Sequence, residues 1–177
     1  MNLYVVRHAS TYNNKKNLVN GRNNIDINEQ GIREAQKVGE ILKEVVFDKV
    51  FCSPLLRAKS TMKLINVNNY PVIYDERITE RDAGIMTNKS EQELDFSKWH
   101  KINIKPFYGG SESFDDVIKR VKNFLEEIVD KYKEDTLLLV THAGVMKAID
   151  VCIYGYPGID KIEGWRYPNC VVLKYKL

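Results

Sequence analysis

The fold is decided at the stretch Leu3–Thr11, which reads LYVVRHAST. Its first four residues are apolar, too few for a helix, and a run with valines and an aromatic is typical of a short strand buried on both faces. The run ends in Arg7 and His8 and continues in small, mostly hydroxyl-bearing residues. Because ligands bind outside the carboxyl ends of the strands in open α/β sheets, we expect Arg7 and His8 to lie at a ligand site.

A second stretch, Leu137–Gly144, repeats this pattern with the sequence LLLVTHAG. It is again an apolar run that releases a histidine, His142, where the strand is predicted to end. Neighbouring strands lie about 4.8 Å apart, so a parallel pair would bring both imidazoles to one small ligand. The alternative is that these are two unrelated histidines at strand ends, each hydrogen-bonded to backbone. The similarity of the two stretches, with Arg7 directly before His8, disfavours this alternative.

The composition excludes several classes of protein. A chain of 177 residues with 44% hydrophobic and 29% charged residues is typical of a globular protein, and we expect one domain over residues 1–177. A net charge of +3 without a long Lys/Arg block argues against nucleic acid as a partner. Three cysteines without a CxxC pair do not indicate a disulfide framework. The absence of a signal sequence and of an apolar run near the ~20 residues of a membrane span predicts a cytoplasmic protein without a membrane partner.

Apolar periodicity predicts strands and helices in alternation. The predicted strands cover residues 3–6, 46–52, 71–74, 137–140 and 170–173, and the predicted helices cover 28–45, 54–65, 113–129 and 144–154. Residues 12–27 are predicted to be a loop. This alternation favours an α/β fold, a three-layer α/β/α arrangement with a mainly parallel central sheet.

Residues of about 75–112 have no sustained period and are predicted to be a short lid insertion over the C-terminal edge of the strands. Loops of this length are usually functional or disordered. Trp99, His100, Phe107 and Tyr108 are candidate substrate contacts, with simple packing of the lid on the sheet edge as the alternative. Lys98 and Lys101 are candidates for binding a second anionic group.

The charged residues at the strand ends indicate phosphoryl chemistry. Arg7 and Arg57 carry planar forks that suit phosphate oxygens, and the helix after His142 adds its N-terminal dipole. One histidine would attack phosphorus as a neutral nucleophile, while the other, kept protonated, would stabilise the equatorial oxygens. A lid carboxylic acid would protonate the leaving alkoxide, and spacing alone does not choose between Glu80 and Asp82.

A metal site is the competing interpretation of the same residues. The two histidines with either lid carboxylate would make a two-His-one-carboxylate set. The two arginines would place positive charge against a cation, so no metal is predicted.

Motifs along almost the whole chain resemble those of the histidine phosphatase superfamily, the phosphoglycerate mutase-like proteins. The segments that resemble family motifs are Arg7–Thr11 with Asn14, Gly21–Asn24 with Asn28, Gly31 and Ala35, Cys52–Ala58 with Thr61, Glu80–Gly84, Gly109–Ser113 and Val140–Val145. The resemblance implies His8 as the phosphorylated nucleophile, Glu80 as the proton donor, and Arg7, Arg57 and His142 as the phosphate pocket. It places Asn14, Arg22 and Ala143 at the phosphate or the leaving group, and it implies no metal or organic cofactor.

The chain departs from the family pattern at a few positions. Ala9 and Ala143 stand where the family has glycine, Ser10 stands where it often has Glu, and Ser111 displaces Glu112 by one position. None of these changes removes a reacting group. Because the lid is shorter than in the family's mutases, the resemblance favours hydrolysis of a small phosphorylated metabolite. A phosphoglycerate mutase-type transferase and a non-catalytic phospho-ligand-binding module are the alternatives.

Overall fold

Five strands form one sheet in the computed structural model, which describes all 177 residues except the side chain of Phe96. They are β1 (Asn2–Arg7), β2 (Lys49–Cys52), β3 (Val72–Tyr74), β4 (Thr136–Thr141) and β5 (Val172–Lys176). Their order across the sheet is β3-β2-β4-β1-β5. The first four are parallel, and β5 pairs antiparallel with β1 at one edge. The predicted three-layer, mainly parallel α/β fold is confirmed.

The two histidine-bearing strands are neighbours, as the sequence predicts. β1 pairs parallel with β4 in a register that sets Leu3 opposite Leu137 and Arg7 opposite Thr141. Both strands lie inside the sheet and every residue of each is buried or half-buried, which explains their unbroken apolar runs. Because the register aligns their carboxyl ends, the residues that follow, His8 and His142, leave the sheet at the same point.

Seven helices accompany the sheet. They are α1 (Tyr12–Lys15), α2 (Glu29–Leu42), α3 (Leu56–Ile65), α4 (Phe96–Trp99), α5 (Phe114–Lys131), α6 (Ala143–Tyr154) and α7 (Ile159–Gly164). α2 and α3 cover one face, where Val38 and Met62 pack with Val6 and Val140. α5 and α6 cover the other face, where Phe124 and Ile149 pack with Leu3, Val5 and Leu139. No described helix has the length and apolarity that crossing a bilayer requires.

Several predicted boundaries are wrong. The second strand begins at Lys49 rather than Val46, which is exposed, and the predicted loop over residues 12–27 contains the short helix α1. Helical spacing predicts that Ile32 and Ile41 lie on the apolar face of α2 with Ala35 and Val38, but both are exposed. The last strand begins at Val172 because Cys170 adopts a positive φ of 58°, and α7 has no counterpart in the prediction. The errors at Val46, Ile32 and Ile41 arise because an apolar residue at strand or helical spacing is exposed to solvent.

The lid packs against itself and against the loop after β1. Val19, Ala83, Met86 and Trp99 form a separate small apolar cluster. Short 3₁₀ turns at Glu76–Ile78, Gly84–Met86 and Glu91–Glu93, together with α4, give the lid local structure without a long period. The lid therefore has an apolar anchor of its own, which holds it at the edge of the sheet.

Candidate active site

The two histidines lie side by side at the carboxyl ends of β1 and β4. The ring centroids of His8 and His142 are 5.1 Å apart and the planes are tilted by 54°. Both rings are buried, with exposed fractions of 1% and 0%. Strand ends rather than a flexible loop hold the rings, so their separation is set by the spacing of the sheet.

The hydrogen bonding of His8 determines which of its ring nitrogens is free. Its Nδ1 lies 2.8 Å from the carbonyl oxygen of Ala9, which can only accept, so Nδ1 carries the proton. Burial, and then the charges of Arg57 and Arg7, lower the pKa of His8 well below its ordinary value. The ring is therefore neutral near pH 7 and its Nε2 has a free lone pair, which is the form that a nucleophilic imidazole requires.

His142 is oriented by Ser53, the residue that follows β2. Its Nε2 lies 2.7 Å from the Ser53 hydroxyl, which accepts a backbone N–H from Leu55 and so has its own proton left to donate. When that proton is donated to Nε2, the neutral imidazole carries its own proton on Nδ1, which is buried and has no partner among the described residues. Burial, and then Arg57, His8 and Arg7, lower the pKa of His142. This shift favours a neutral ring, whose Nδ1–H can still donate to an anion, and protonation of His142 beside a bound phosphoryl group stays a prediction.

Two buried guanidinium groups complete the cationic wall. Arg7 donates to the carbonyl of Tyr167 at 2.5 Å, and Arg57 donates to the carbonyls of Gly21 and Asn23, both at 2.7 Å. The Nε atoms of both arginines are buried without a partner. Burial lowers the pKa of both groups, that of Arg57 to about 10, so both remain charged near neutral pH. An oxyanion between them would satisfy donors that are costly to leave unpaired.

The structure distinguishes between the two candidate acids. Glu80 lines the cavity above the histidines and accepts from the backbone N–H of Arg81 at 2.8 Å and of Gly144 at 3.4 Å. Gly144 lies in the first turn of α6, and a Cβ there would come within 2.4 Å of the Glu80 carboxylate. Asp82 instead accepts from Gly84 within the lid and does not line the cavity. The geometry therefore favours Glu80, and it explains the glycine at position 144.

A cavity of about 480 Å³ extends from His8 towards the lid, a size common for small-molecule sites. Of the predicted contacts, Arg7, His8, Asn14, Glu80, Ala143, Trp99 and His100 line it. Arg57 and His142, which are fully buried, do not line it.

Four of the predicted lid residues are absent from the cavity wall. Phe107 and Tyr108 pack on each other with ring centroids 4.9 Å apart, and neither lines the cavity. Lys98 and Lys101 do not line it either, and Lys98 pairs with Asp95.

Arg22 lies outside the cavity wall. It donates to the carbonyl of Glu80 and forms an ion pair with Glu112, which also pairs with Arg120. Its position is therefore suited to holding the backbone of Glu80, and its predicted contact with phosphate or the leaving group stays a prediction. Glu112, despite its displacement by one residue, is part of this charged network.

Sequence reasoning missed several residues of the wall. Lys147 and Arg81 are both buried and line the cavity, as do Asn20 and the segment 165–168. Lys147 lies one helical turn after Ala143, so the i, i+4 spacing from the predicted site offered a signal for it. The segment 165–168 offered none, because it has no periodicity of its own and is held by a hydrogen bond from Tyr167 to the distant Asp150 of α6.

The competing interpretation of these residues as a metal site can be compared with the placement of the possible ligands. Among the described residues, no group of three or more His, Cys, Asp or Glu side chains is placed to hold a metal ion. The cationic wall of Arg7 and Arg57 suits an anion instead.

Paired imidazoles within a cationic cup, at the carboxyl edge of a parallel sheet, define a phosphoryl-binding enzyme site. The family model of the histidine phosphatase superfamily (branch 1) matches residues 3–176. The chain belongs to this superfamily, and it is an enzyme of the phosphatase and phosphoglycerate mutase-like type.

The relatives include both hydrolases and transferases. Phosphoserine phosphatase 1 of Hydrogenobacter thermophilus is 29% identical over 93% of this chain and 80% of its own length. A 2,3-bisphosphoglycerate-dependent phosphoglycerate mutase of Methylobacterium sp. is 31% identical over 99% and 90%. A variant phosphoserine phosphatase of Entamoeba histolytica, solved with phosphoserine, has a TM-score of 0.86 at 21% identity over 98% and 89% of the two chains. This last similarity concerns the fold.

Proposed function

We propose that this chain hydrolyses a small phosphorylated metabolite through a phosphohistidine on His8, with Glu80 as general acid and base. The observation that carries the proposal is the pair of buried rings 5.1 Å apart, one of which has its Nε2 lone pair free. We also propose that residues 1–177 act as one domain, because the five strands share one sheet.

The first step is an in-line attack on phosphorus. The Nε2 lone pair of His8 forms the P–N bond while the ester P–O bond breaks, and Glu80, in its protonated form, gives its proton to the leaving oxygen. Arg7, Arg57 and the Nδ1–H of His142 donate to the equatorial oxygens, where charge is greatest in the transition state. Their unpartnered buried donors support this role.

The second step regenerates the enzyme. The Glu80 carboxylate takes a proton from water, whose oxygen attacks phosphorus as the P–N bond breaks. His8 returns to its neutral form, which its buried position favours. Inorganic phosphate then leaves.

The His8→Ala variant tests the nucleophile. Turnover of 4-nitrophenyl phosphate should fall by at least about 10⁴-fold, because the covalent route is closed. Brief mixing of the wild-type protein with labelled substrate should give an adduct on His8 that is labile in acid and stable in base. Retention of wild-type turnover by His8→Ala, or an adduct elsewhere, would contradict the proposal.

Transfer rather than hydrolysis is the second candidate, supported by the similarity to the Methylobacterium mutase. Incubation with 3-phosphoglycerate separates the two activities, because a phosphatase releases inorganic phosphate and a mutase forms the 2-phospho isomer.

The third alternative, a non-catalytic binding module, is disfavoured by the presence of every reacting group.

A further inference from the structure

The cavity wall contains a buried cation that the phosphoryl chemistry does not use. Lys147 of α6 is 6% exposed and lines the cavity. Its Nζ donates one hydrogen bond, to the carbonyl of Ile162 at 2.9 Å, and among the described residues no carboxylate lies within ion-pair distance of it. An ammonium group with two N–H groups left over and no ion-pair partner is costly to bury.

The cavity wall that includes Lys147 has more cations than acids. Arg81, also buried, donates to the carbonyls of Trp99 and Glu112 and stacks on the Trp99 ring at 3.8 Å from its centroid, without an ion pair. The charged side chains of the cavity wall are the cations Arg7, Arg81, Lys147 and Arg166 and the acids Glu80 and Glu91. Buried Arg57 adds a further positive charge beside the two active-site histidines, so the site as a whole favours anionic ligands.

The carboxylate with the largest electrostatic effect on Lys147 is already engaged. Glu163 of α7 accepts from Nδ1 of His100 at 2.6 Å, and burial lowers the pKa of His100 to about 4, so a neutral ring donates to it. Glu163 is therefore held by the lid. This leaves the two free N–H groups of Lys147 for a ligand in the cavity.

We propose that Lys147 binds a carboxylate on the leaving group, so that the substrate is a phosphorylated hydroxy acid or hydroxy amino acid. The inference rests on the proposed function and names the substrate class for that site. A monoanion fits better than a second phosphoryl dianion, because Lys147 offers one ammonium group and the acids Glu80 and Glu91 share the wall. A carboxylate also presents two oxygens to the two free N–H groups of the ammonium.

A matched pair of substrates isolates the carboxylate. 3-Phosphoglycerate and glycerol 3-phosphate differ only in having a carboxylate or a hydroxymethyl group at the far end. The wild-type protein should show kcat/KM for phosphate release about 10- to 100-fold higher with 3-phosphoglycerate, the range expected for a hydrogen bond between charged groups. Equal values for the two esters would overturn the inference.

The Lys147→Met variant assigns the preference to this residue. It should lose most of the preference, chiefly through KM for 3-phosphoglycerate, and should hydrolyse glycerol 3-phosphate and 4-nitrophenyl phosphate within about threefold of wild type. Lys147→Arg should retain the preference in part. Lys161→Met removes an exposed lysine of α7 and serves as the matched control, with no expected change. An equal loss on both esters in Lys147→Met would show a structural role and overturn the inference.

The wild-type protein offers a measurement that does not depend on the variant folding. Burial lowers the pKa of Lys147 to about 8, with Glu163 and Glu80 opposing this effect and Arg166 reinforcing it, while neutral His100 faces it from the lid. Groups that titrate in both reactions change the two kcat/KM values equally, so their effect cancels in the ratio of the two values. This ratio should fall above about pH 8 as the ammonium group of Lys147 deprotonates. A constant ratio up to pH 9.5 would overturn the inference.

The two proposals fail in distinguishable ways. Hydrolysis of 4-nitrophenyl phosphate without a preference within the matched pair overturns the role of Lys147 alone. Absence of hydrolysis with all three esters overturns the proposed function, and the inference with it.

Discussion

At the scale of single residues, the protonation of the site follows from what each ring and carboxylate contacts. The Ala9 carbonyl fixes the proton of His8 on Nδ1, and Ser53 is positioned to fix that of His142 on Nδ1 as well. One ring therefore has a lone pair available at Nε2, and the other has a donor. Burial and the neighbouring arginines keep both rings neutral, so the same environment supports two different roles.

The carboxylate at the mouth of the site provides a test at this scale. Glu80→Gln should lower kcat for an alkyl phosphate by about 10²–10⁴-fold, because an amide cannot protonate the leaving oxygen. The loss should be smaller for 4-nitrophenyl phosphate, whose leaving group needs little protonation. Steady-state rates on both esters measure this difference. Asp82→Asn is the control, and a larger loss in Asp82→Asn than in Glu80→Gln would assign the proton donor to the other acid.

At the scale of elements, the sequence predicts what short-range patterns determine and misses what long-range contacts determine. The apolar runs at Leu3–Val6 and Leu137–Val140 could be recognised because central parallel strands are buried on both faces. The histidines and arginines at the strand ends could be placed for the same reason. The alternatives for the proton donor stayed open, because only the packing of Gly144 against Glu80 separates that residue from Asp82.

The segment after α7, residues 165–168, shows why part of the site could not be predicted from the sequence. Its carbonyl at Tyr167 accepts from Arg7, yet the segment has no periodicity of its own. Its position depends on Asp150 of α6, which accepts from the hydroxyls of Tyr167 and of Tyr175 in β5. Contacts between residues this far apart leave no mark on local sequence patterns, so neither the segment nor its role in holding Arg7 could be read from the chain.

This arrangement predicts a specific effect of one hydroxyl group. Tyr167→Phe removes the bond to Asp150 and should loosen the carbonyl that holds Arg7, raising KM for 4-nitrophenyl phosphate about three- to tenfold with little change in kcat. Tyr175→Phe removes the other bond to the same carboxylate without touching Arg7. Both variants should lose about 1–2 kcal/mol of unfolding free energy. Equal KM values in the two variants would refute the positioning role, and urea unfolding with steady-state kinetics gives both quantities.

At the scale of the whole molecule, binding and stability are linked through the same buried groups. The chain has three histidines, and all of them are buried, with exposed fractions of 1%, 5% and 0% for His8, His100 and His142. Burial lowers the pKa of each of them in the folded state. Below the ordinary histidine pKa of about 6.5, the unfolded chain therefore takes up protons that the folded protein does not.

The sign of the pH dependence follows directly. Because the folded pKa values lie below the unfolded ones, the stability is fully present above about pH 6.5 and is lost as the pH falls from there towards 4. Near pH 5.5 the slope of the unfolding free energy should approach up to about 4 kcal/mol per pH unit, since each of the three protons contributes about 1.36 kcal/mol per unit. Urea unfolding between pH 8 and pH 5 measures this slope.

Inorganic phosphate should oppose the loss, because it binds only the folded site and its charge favours protonated imidazole. At a concentration of about 100 times its Kd, phosphate should add about 2.7 kcal/mol to the unfolding free energy.

The His100→Gln variant separates the contribution of His100 to the pH dependence from that of His8 and His142. It removes one of the three titrating rings and should reduce the slope of the unfolding free energy by about a third, while it leaves the phosphoryl pocket intact. A slope unchanged in this variant, or a stability that rises as the pH falls from 7 to 5, would show that the buried histidines do not determine the acid sensitivity of the fold.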